Sequence, residues 1–148
     1  MKSLQKIIPV FAFIFLIGTS TAFADTNTQN GLAVKGHDVV SYFTLKSGQN
    51  AVKGNPSIKS GYKGATYYFS SAANKQSFDK NPARYIPAYG GYCAFGVAHG
   101  QKVDVDPNAW AIHNGTLYLN VNKNIQGQWN KDRTGFIRKA DEFWKDLI

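Results

Sequence analysis

Cysteine is almost absent from this chain. Cys93 is the only cysteine in 148 residues. A single thiol forms no internal disulfide, so the hydrophobic core must hold the fold without a covalent cross-link. In an oxidising compartment the thiol is left free, bound to a metal, or paired with another molecule.

The signature motifs of several enzyme classes are also missing. No glycine-rich loop is followed by Lys-Ser or Lys-Thr, and no Gly-x-Gly-x-x-Gly follows a predicted strand. Such motifs bind the phosphates of nucleotides and dinucleotides. Gly-x-Ser-x-Gly, the nucleophile motif of many hydrolases, is absent as well. The sequence therefore gives no support to a nucleotide-binding protein or a serine hydrolase, and we expect a binding protein rather than an enzyme.

Acidic residues are scarce, with 9 Asp and Glu against 17 Lys and Arg and a formal net charge of +8. A nucleic-acid surface gathers its positive charge on one element, with aromatic residues between the cations. Here the lysines are scattered, with a mild surplus near Lys131, Arg133, Arg138 and Lys139. We therefore expect no nucleic-acid partner, and a basic surface loosely attracted to anionic envelope surfaces.

The long apolar run is confined to the N-terminus. Lys2 and Lys6 precede an apolar segment at 7–18, and Ala22-Phe23-Ala24 has the small-x-small pattern of a cleavage site. The apolar segment is shorter than the roughly 20 residues that span a bilayer. Residues 1–24 are thus predicted to be a general-secretion signal peptide, cleaved to leave a periplasmic or secreted protein without stable membrane insertion.

The mature chain from residue 25 is predicted to be a single α+β domain. A polar, flexible leader at 25–31 precedes a domain at 32–148. Strands at 57–62 and 65–70 flank Lys63-Gly64 and predict one β-hairpin. Strands at 110–113 and 116–121 flank Asn114-Gly115, the strongest short-range hairpin signal, and predict a second. The two hairpins are compatible with one shared antiparallel sheet.

Short helices are predicted around these hairpins. Asp38 is a candidate N-cap of a short helix, with His37 outside it as a surface residue, and Ser71 is a candidate N-cap of a helix that ends before Pro82. A further short turn of helix begins at Pro82. One apolar stripe predicts a C-terminal amphipathic helix packed on the sheet. The stripe consists of Phe136, Ile137, Ala140, Phe143, Trp144 and Leu147.

The segment 90–100 has the most unusual composition in the chain. Four glycines surround Cys93, Tyr92 and His99. A soft transition metal such as copper or zinc needs several thiolate, imidazole or carboxylate donors. Cys93, His99 and His113 are the candidate metal ligands, provided that the glycines fold the segment back, with Asp104 or Asp106 available between them. A lone cysteine is nevertheless often a buried small hydrophobe.

Two alternatives to a metal site stay open. A helix that begins at Cys93 would favour the thiolate and suit a single-cysteine redox protein or sensor, with Cys93 as its catalytic residue. No resolving cysteine is present, so such a cycle requires an external envelope thiol partner. The other alternative is a structural or partner-binding module without chemistry, in which aromatic residues form a core or a pocket.

Two residues are candidates for binding a ligand close to Cys93. They are Tyr92 and Asp106. The aromatic residues concentrated in the middle of the chain are Tyr62, Tyr67, Tyr68, Phe69, Tyr85, Tyr89, Tyr92 and Phe95.

Several stretches together resemble a known family. Tyr67-Tyr68-Phe69-Ser70-Ser71, Phe78 and Asn81-Pro82-Ala83-Arg84-Tyr85 resemble the YHS domain, a small module associated with heavy-metal handling. The wider frame is similar to exported, stand-alone YHS-domain proteins. It comprises the segments 36–43, 90–96, 106–110 and 114–120.

The resemblance has a specific consequence for the chemistry. Metal-associated YHS modules carry Tyr-Phe-Cys-Ser-x-x-Cys, and Ser70 and Asn74 stand here at the two cysteine positions. Neither is a soft ligand, so metal binding at that motif is not expected. The cysteine of Gly-Gly-Tyr-Cys, Cys93, is retained. The resemblance associates this position with selenocysteine in some relatives. The resemblance thus implies an exported protein that binds a transition metal or a metal-containing ligand through Cys93.

Overall fold

A computed structural model describes residues 25–148 of the protein. The predicted signal peptide, residues 1–24, lies outside the described residues, so its cleavage and the export of the protein stay predictions. Within the described part of the chain, no helix is long and apolar enough to cross a membrane.

The first sheet has four strands in the order β1-β2-β4-β3. They are β1 (Thr28–Gln29), β2 (Leu32–Ala33), β3 (Asn55–Tyr62) and β4 (Ala65–Phe69). The hairpin β3–β4 is antiparallel, as predicted, and turns at Lys63 and Gly64, whose φ angles are +47° and +80°. Two consecutive positive φ angles are typical of a type I′ turn. Strand β2 pairs with β4 in parallel, so the sheet is mixed.

The second sheet is the hairpin of β5 (Asp106–His113) and β6 (Thr116–Asn120). It turns at Asn114-Gly115, as the sequence predicts, with φ angles of +49° and +75°. The two hairpins lie in separate sheets rather than in one. The residues between them include the helices and 3-10 turn of the segment 72–97.

Five α-helices complete the described part of the chain. They are α1 (Ala72–Lys80), α2 (Pro82–Tyr85), α3 (Ala94–Val97), α4 (Lys123–Asn130) and α5 (Arg133–Leu147). Ser71 caps α1 by accepting a hydrogen bond from the backbone nitrogen of Asn74. Short 3-10 turns lie at Val34–Gly36, Ser41–Phe43 and Ala88–Gly91. The α+β class and the single small domain are thereby confirmed.

Strand β6 is buried on both faces, which the alternating pattern of its sequence does not indicate. Leu117 and Leu119 pack with the first sheet in one apolar cluster. Tyr118 packs on the opposite face with Trp129 of α4 and Ala140 of α5 in a second cluster. The β5–β6 hairpin therefore forms a central layer between the first sheet and the C-terminal helices. Phe143 is the exception in the predicted apolar stripe of α5, with 44% of its surface exposed.

The predicted flexible leader, residues 25–31, is hydrogen-bonded along its length. Strand β1 pairs with β2, and the backbone nitrogen of Asn27 donates to the carbonyl of Gly90 at 2.8 Å. The contact between Asn27 and Gly90 joins residues far apart in sequence. The polar composition of residues 25–31 therefore does not predict it.

Candidate functional site

Cys93 is sealed inside the domain. Its side chain is 1% exposed and lies at the N-cap of α3. The sulfur accepts a hydrogen bond from the backbone nitrogen of Gly96 at 3.4 Å and donates one to Oδ1 of Asn120 at 3.6 Å. Asn120 is itself fully buried and also accepts from the backbone nitrogen of Phe95. The predicted helix start at Cys93 is correct, and its thiol forms part of a buried joint between α3 and β6.

The three predicted metal ligands do not come together. Nδ1 of His99 is 2.7 Å from the carbonyl oxygen of Phe95, and its ring packs on Phe95 and Phe136. His113 lies at the end of β5 and faces a groove beside α5. Within residues 25–148, no group of three or more His, Cys, Asp and Glu side chains is placed to hold a metal ion. The surroundings of Cys93 thus do not fit a soft-metal centre.

Gly90 lies against Asp25 and Thr26, the first residues of the described chain, and not against the sulfur of Cys93. Its φ is +60°, and a Cβ at Gly90 would overlap the carbonyl oxygen of Asp25. We call residues 25–27 the N-terminal strap. Glycine is required here for two independent reasons, the positive φ and the close approach of another backbone.

The N-terminal strap is held by charged and polar side chains. Asp25 forms an ion pair with Lys102 and accepts a hydrogen bond from the Tyr92 hydroxyl at 3.3 Å. Nδ2 of Asn27 donates to Oδ1 of Asp104 at 3.0 Å, and Asp104 also pairs with Lys35 at 2.9 Å. Hydrogen bonds from Lys35 and Asn27 keep the pKa of Asp104 below its usual range, against the opposing effect of partial burial. Tyr92 and Asp104 therefore hold the strap in place.

Asp106 has a local role. Its Oδ1 accepts a hydrogen bond from the backbone nitrogen of Asn108 at 2.8 Å at the start of β5. The two candidate ligand-binding residues, Tyr92 and Asp106, thus both have partners within the protein.

The two positions of the YHS motif cysteines are bridged by a buried carboxylate. Asp38 is 0% exposed, and its Oδ2 accepts from the backbone nitrogen and hydroxyl of Ser70 and from Nδ2 of Asn74, at 2.6–2.7 Å. Its Oδ1 accepts from the backbone nitrogens of Val40 and Ser41. Five hydrogen bonds therefore converge on one carboxylate, which occupies the space between Ser70 and Asn74.

His37, beside Asp38, is half-buried rather than a surface residue. Its Nδ1 lies 3.1 Å from the carbonyl oxygen of Val34. Burial, with a smaller contribution from the nearby charge of Lys53, lowers the pKa of His37. The imidazole of His37 thus belongs to the same partly buried segment as Asp38.

An aromatic pocket lies between the first hairpin, the segment after α2, and α5. Its volume is about 200 Å³. Its walls are Tyr62, Tyr67, Ile86, Pro87, Tyr89 and Trp144, and its rim consists of Asp25, Thr26, Lys63 and Gly90. The rings of Tyr89 and Trp144 contact each other with centroids 5.9 Å apart. The N-terminal strap thus forms one side of a concave, mainly aromatic site, the usual character of small-molecule pockets.

Tyr67 lines this pocket and has a hydroxyl that is free to bind a ligand. Tyr67 is 3% exposed, and its hydroxyl makes no hydrogen bond to any of the described residues. Burial raises the pKa of Tyr67 to about 12, so its hydroxyl stays protonated and able to donate at physiological pH. Tyr89 differs, because its hydroxyl donates to Asp141 at 2.9 Å. No hydrogen bond within residues 25–148 occupies this hydroxyl, so it can donate to a molecule in the pocket, and we take the pocket as the candidate binding site.

Sequence reasoning named three of these pocket residues and missed the others. Tyr62, Tyr67 and Tyr89 belong to the predicted aromatic set, whereas the sequence pattern predicts Trp144 in the apolar stripe of the C-terminal helix. The pattern predicts Asp25 in a flexible leader and Lys63 in a turn. Long-range contacts alone bring these residues together.

We expect Cys93 to resist thiol reagents in the folded protein. Because its sulfur is buried and hydrogen-bonded, reaction requires local opening of the joint between α3 and β6. An opening free energy of about 2.7 kcal/mol corresponds to a hundredfold slower reaction than in the unfolded chain. The measurement is the rate of Ellman's-reagent reaction in buffer and in denaturing urea. Equal rates in the two conditions would show an accessible thiol and favour the redox interpretation.

Comparison with known proteins bears on part of the chain. A family model described as YHS domain matches residues 49–89. No curated protein and no solved structure matches the chain significantly. The matched segment contains β3, β4, α1 and α2, and with them Ser70, Asn74 and most of the aromatic wall of the pocket. The chain is therefore a YHS domain-containing protein, with its YHS domain at residues 49–89.

Proposed function

We propose that the protein is a non-catalytic binding module that takes a small ligand with an apolar, ring-sized body into the aromatic pocket. The observation that carries the proposal is the aromatic lining of the pocket together with the Tyr67 hydroxyl, which forms no hydrogen bond within residues 25–148. A ligand with a hydrogen-bond acceptor would satisfy this hydroxyl, while the rings of Tyr62, Tyr89 and Trp144 would cover its apolar part. The predicted signal peptide supports a periplasmic or extracellular location for this binding.

The pocket supports a ligand better than the surroundings of Cys93 support a metal. A soft-metal site requires several accessible donors, and the buried Cys93 has Asn120 and Gly96 as its hydrogen-bond partners. Metal binding through Cys93, implied by the family resemblance, stays a prediction. Redox chemistry at Cys93 stays one too, and the buried position of the sulfur gives it little support.

Benzamide tests the proposal because it combines one aromatic ring with a neutral carbonyl acceptor. We expect benzamide to shift the NMR signals of pocket residues such as Tyr89 and Trp144 in a saturable manner. The variant Tyr67→Phe removes only the hydroxyl, and we expect about tenfold weaker binding, the effect of one hydrogen bond of about 1.4 kcal/mol.

Tyr68→Phe is the matched control. Tyr68 neighbours Tyr67 in β4 but faces the other side of the sheet, near Gly36 and Gly54. The Tyr68→Phe variant lacks the hydroxyl of Tyr68, and we expect its affinity for benzamide to be unchanged. Absence of saturable shifts at the pocket with benzamide and with its charged analogues benzoate and benzylamine would refute the proposed function, and equal affinities of the two variants would refute the role of Tyr67.

A further inference from the structure

We infer that the ligand of the aromatic pocket is a small ring-bearing monoanion, with its carboxylate directed to Lys63 and Tyr67. This inference rests on the proposed function and adds the charge of the ligand. It follows from the groups at the pocket that can donate a hydrogen bond to a carboxylate: the hydroxyls of Tyr62 and Tyr67, and the ammonium of Lys63.

Lys63 has an uncompensated charge. It forms no ion pair or hydrogen bond with any residue in 25–148, and its Nζ lies 5.4 Å from the centroid of the Tyr62 ring. Its position is set by the type I′ turn of the β3–β4 hairpin, where its φ is +47°. The turn thus places one free cation at the rim of an aromatic cavity.

The one carboxylate at the rim has its partners already. Asp25 is paired with Lys102 and accepts a hydrogen bond from Tyr92. Its negative charge is therefore compensated within the protein, and it does not cancel the charge of Lys63. The whole chain carries a formal net charge of +8, which also attracts an anion over longer distances.

A ligand cation fits the pocket less well, although aromatic rings often bind ammonium groups. Lys63 already lies over the Tyr62 ring, and its charge repels a second cation. An unpaired donor such as the Tyr67 hydroxyl is matched by an acceptor, and a carboxylate is the strongest acceptor of suitable size.

The volume sets the size of the ligand. A cavity of about 200 Å³ accommodates a single ring with a small substituent. An aromatic monocarboxylate satisfies the apolar walls, the hydroxyl of Tyr67 and the ammonium of Lys63 together.

Three molecules of nearly equal shape test the inference. Benzoate, benzamide and benzylamine present the same ring with a negative, a neutral and a positive substituent. Because Lys63 is exposed and exposed ion pairs contribute about 0–1 kcal/mol, we expect benzoate to bind several-fold more tightly than benzamide, and benzylamine to bind most weakly, in NMR titrations of the purified protein. Raising the salt concentration should weaken the binding of benzoate and leave that of benzamide nearly unchanged.

Lys63→Gln should reduce the affinity for benzoate to that for benzamide, while the affinity for benzamide stays the same. Lys59→Gln is the control, since Lys59 is an exposed residue of β3 outside the pocket. Equal or tighter binding of benzamide or benzylamine, or an unaltered benzoate affinity in Lys63→Gln, would overturn the inference and leave the proposed function intact. Absence of binding by all three molecules would instead overturn the proposed function.

Discussion

Replacing Asp38 with alanine is expected to lower the free energy of unfolding by about 3–5 kcal/mol, the range of severe single substitutions in a protein core. The carboxylate accepts five hydrogen bonds from Val40, Ser41, Ser70 and Asn74. Removing it leaves these donors unsatisfied in a region where the Asp38 side chain is 0% exposed. Equilibrium unfolding in urea, followed by circular dichroism, measures the change.

Two further variants separate charge from shape. Asp38→Asn keeps the volume but turns one acceptor into a donor that faces other donors, so we expect a large part of the same loss. Asp79→Ala is the control, because Asp79 accepts hydrogen bonds from Ser60 and Lys75 at the surface. Exposed pairs of this kind contribute about 0–1 kcal/mol. A loss for Asp38→Ala no greater than that for Asp79→Ala would contradict the structural role of the buried carboxylate.

The Asp38 cluster joins Ser70 and Asn74, the two positions at which metal-associated YHS modules carry cysteines. Thiolates at the positions of Ser70 and Asn74 would bring negative charge next to Asp38. Ser70 and Asn74 supply donors instead, and Asp38 supplies the anion. The cluster thus ties the 38–41 turn to β4 and α1 through hydrogen bonds alone.

Gly90→Ala is expected to destabilise the protein by about 2–4 kcal/mol and to weaken ligand binding. The positive φ of +60° accounts for roughly 1–2 kcal/mol of this cost for a residue with a Cβ. The remainder arises because the new methyl group overlaps the carbonyl oxygen of Asp25 and displaces the N-terminal strap. The hydrogen bond from the nitrogen of Asn27 to the carbonyl of Gly90 is then lost. Urea unfolding and hydrogen exchange of the Asn27 amide measure the two effects.

Gly115→Ala separates the two contributions. Gly115 also has a positive φ, +75°, but no atom lies within 4 Å of a Cβ placed there. We expect it to show the conformational cost alone, with unchanged exchange at Asn27 and unchanged affinity for benzamide. If Gly90→Ala behaved in the same way as Gly115→Ala, the strap would not depend on the close approach at Gly90.

Displacement of the strap also bears on the pocket. Asp25 and Thr26 form part of the rim, so Gly90→Ala should weaken benzamide binding even though Tyr67 is unchanged. This links the glycine pair before Cys93 to the pocket instead of to the sulfur. The unusual glycine content of the segment 90–100 thus reflects a structural requirement at Gly90. This requirement concerns the N-terminal strap and not the sulfur of Cys93.

The sequence by itself determined the local structure of this protein. The turns at Lys63-Gly64 and Asn114-Gly115, the cap at Ser71 and the helix start at Cys93 follow from the conformational preferences of adjacent residues. The YHS resemblance was also evident from local motifs, and the family match at residues 49–89 confirms it.

Only the tertiary structure decided the environment of each candidate site residue. Burial of Cys93 depends on Asn120, 27 residues away, and the pocket joins Asp25 and Lys63 to Trp144. The two faces of β6 became equally buried because helices α4 and α5 pack on the side opposite the first sheet. A hydrogen bond or a cavity wall requires atoms that are close in space, and local preferences do not specify which distant residues those atoms belong to.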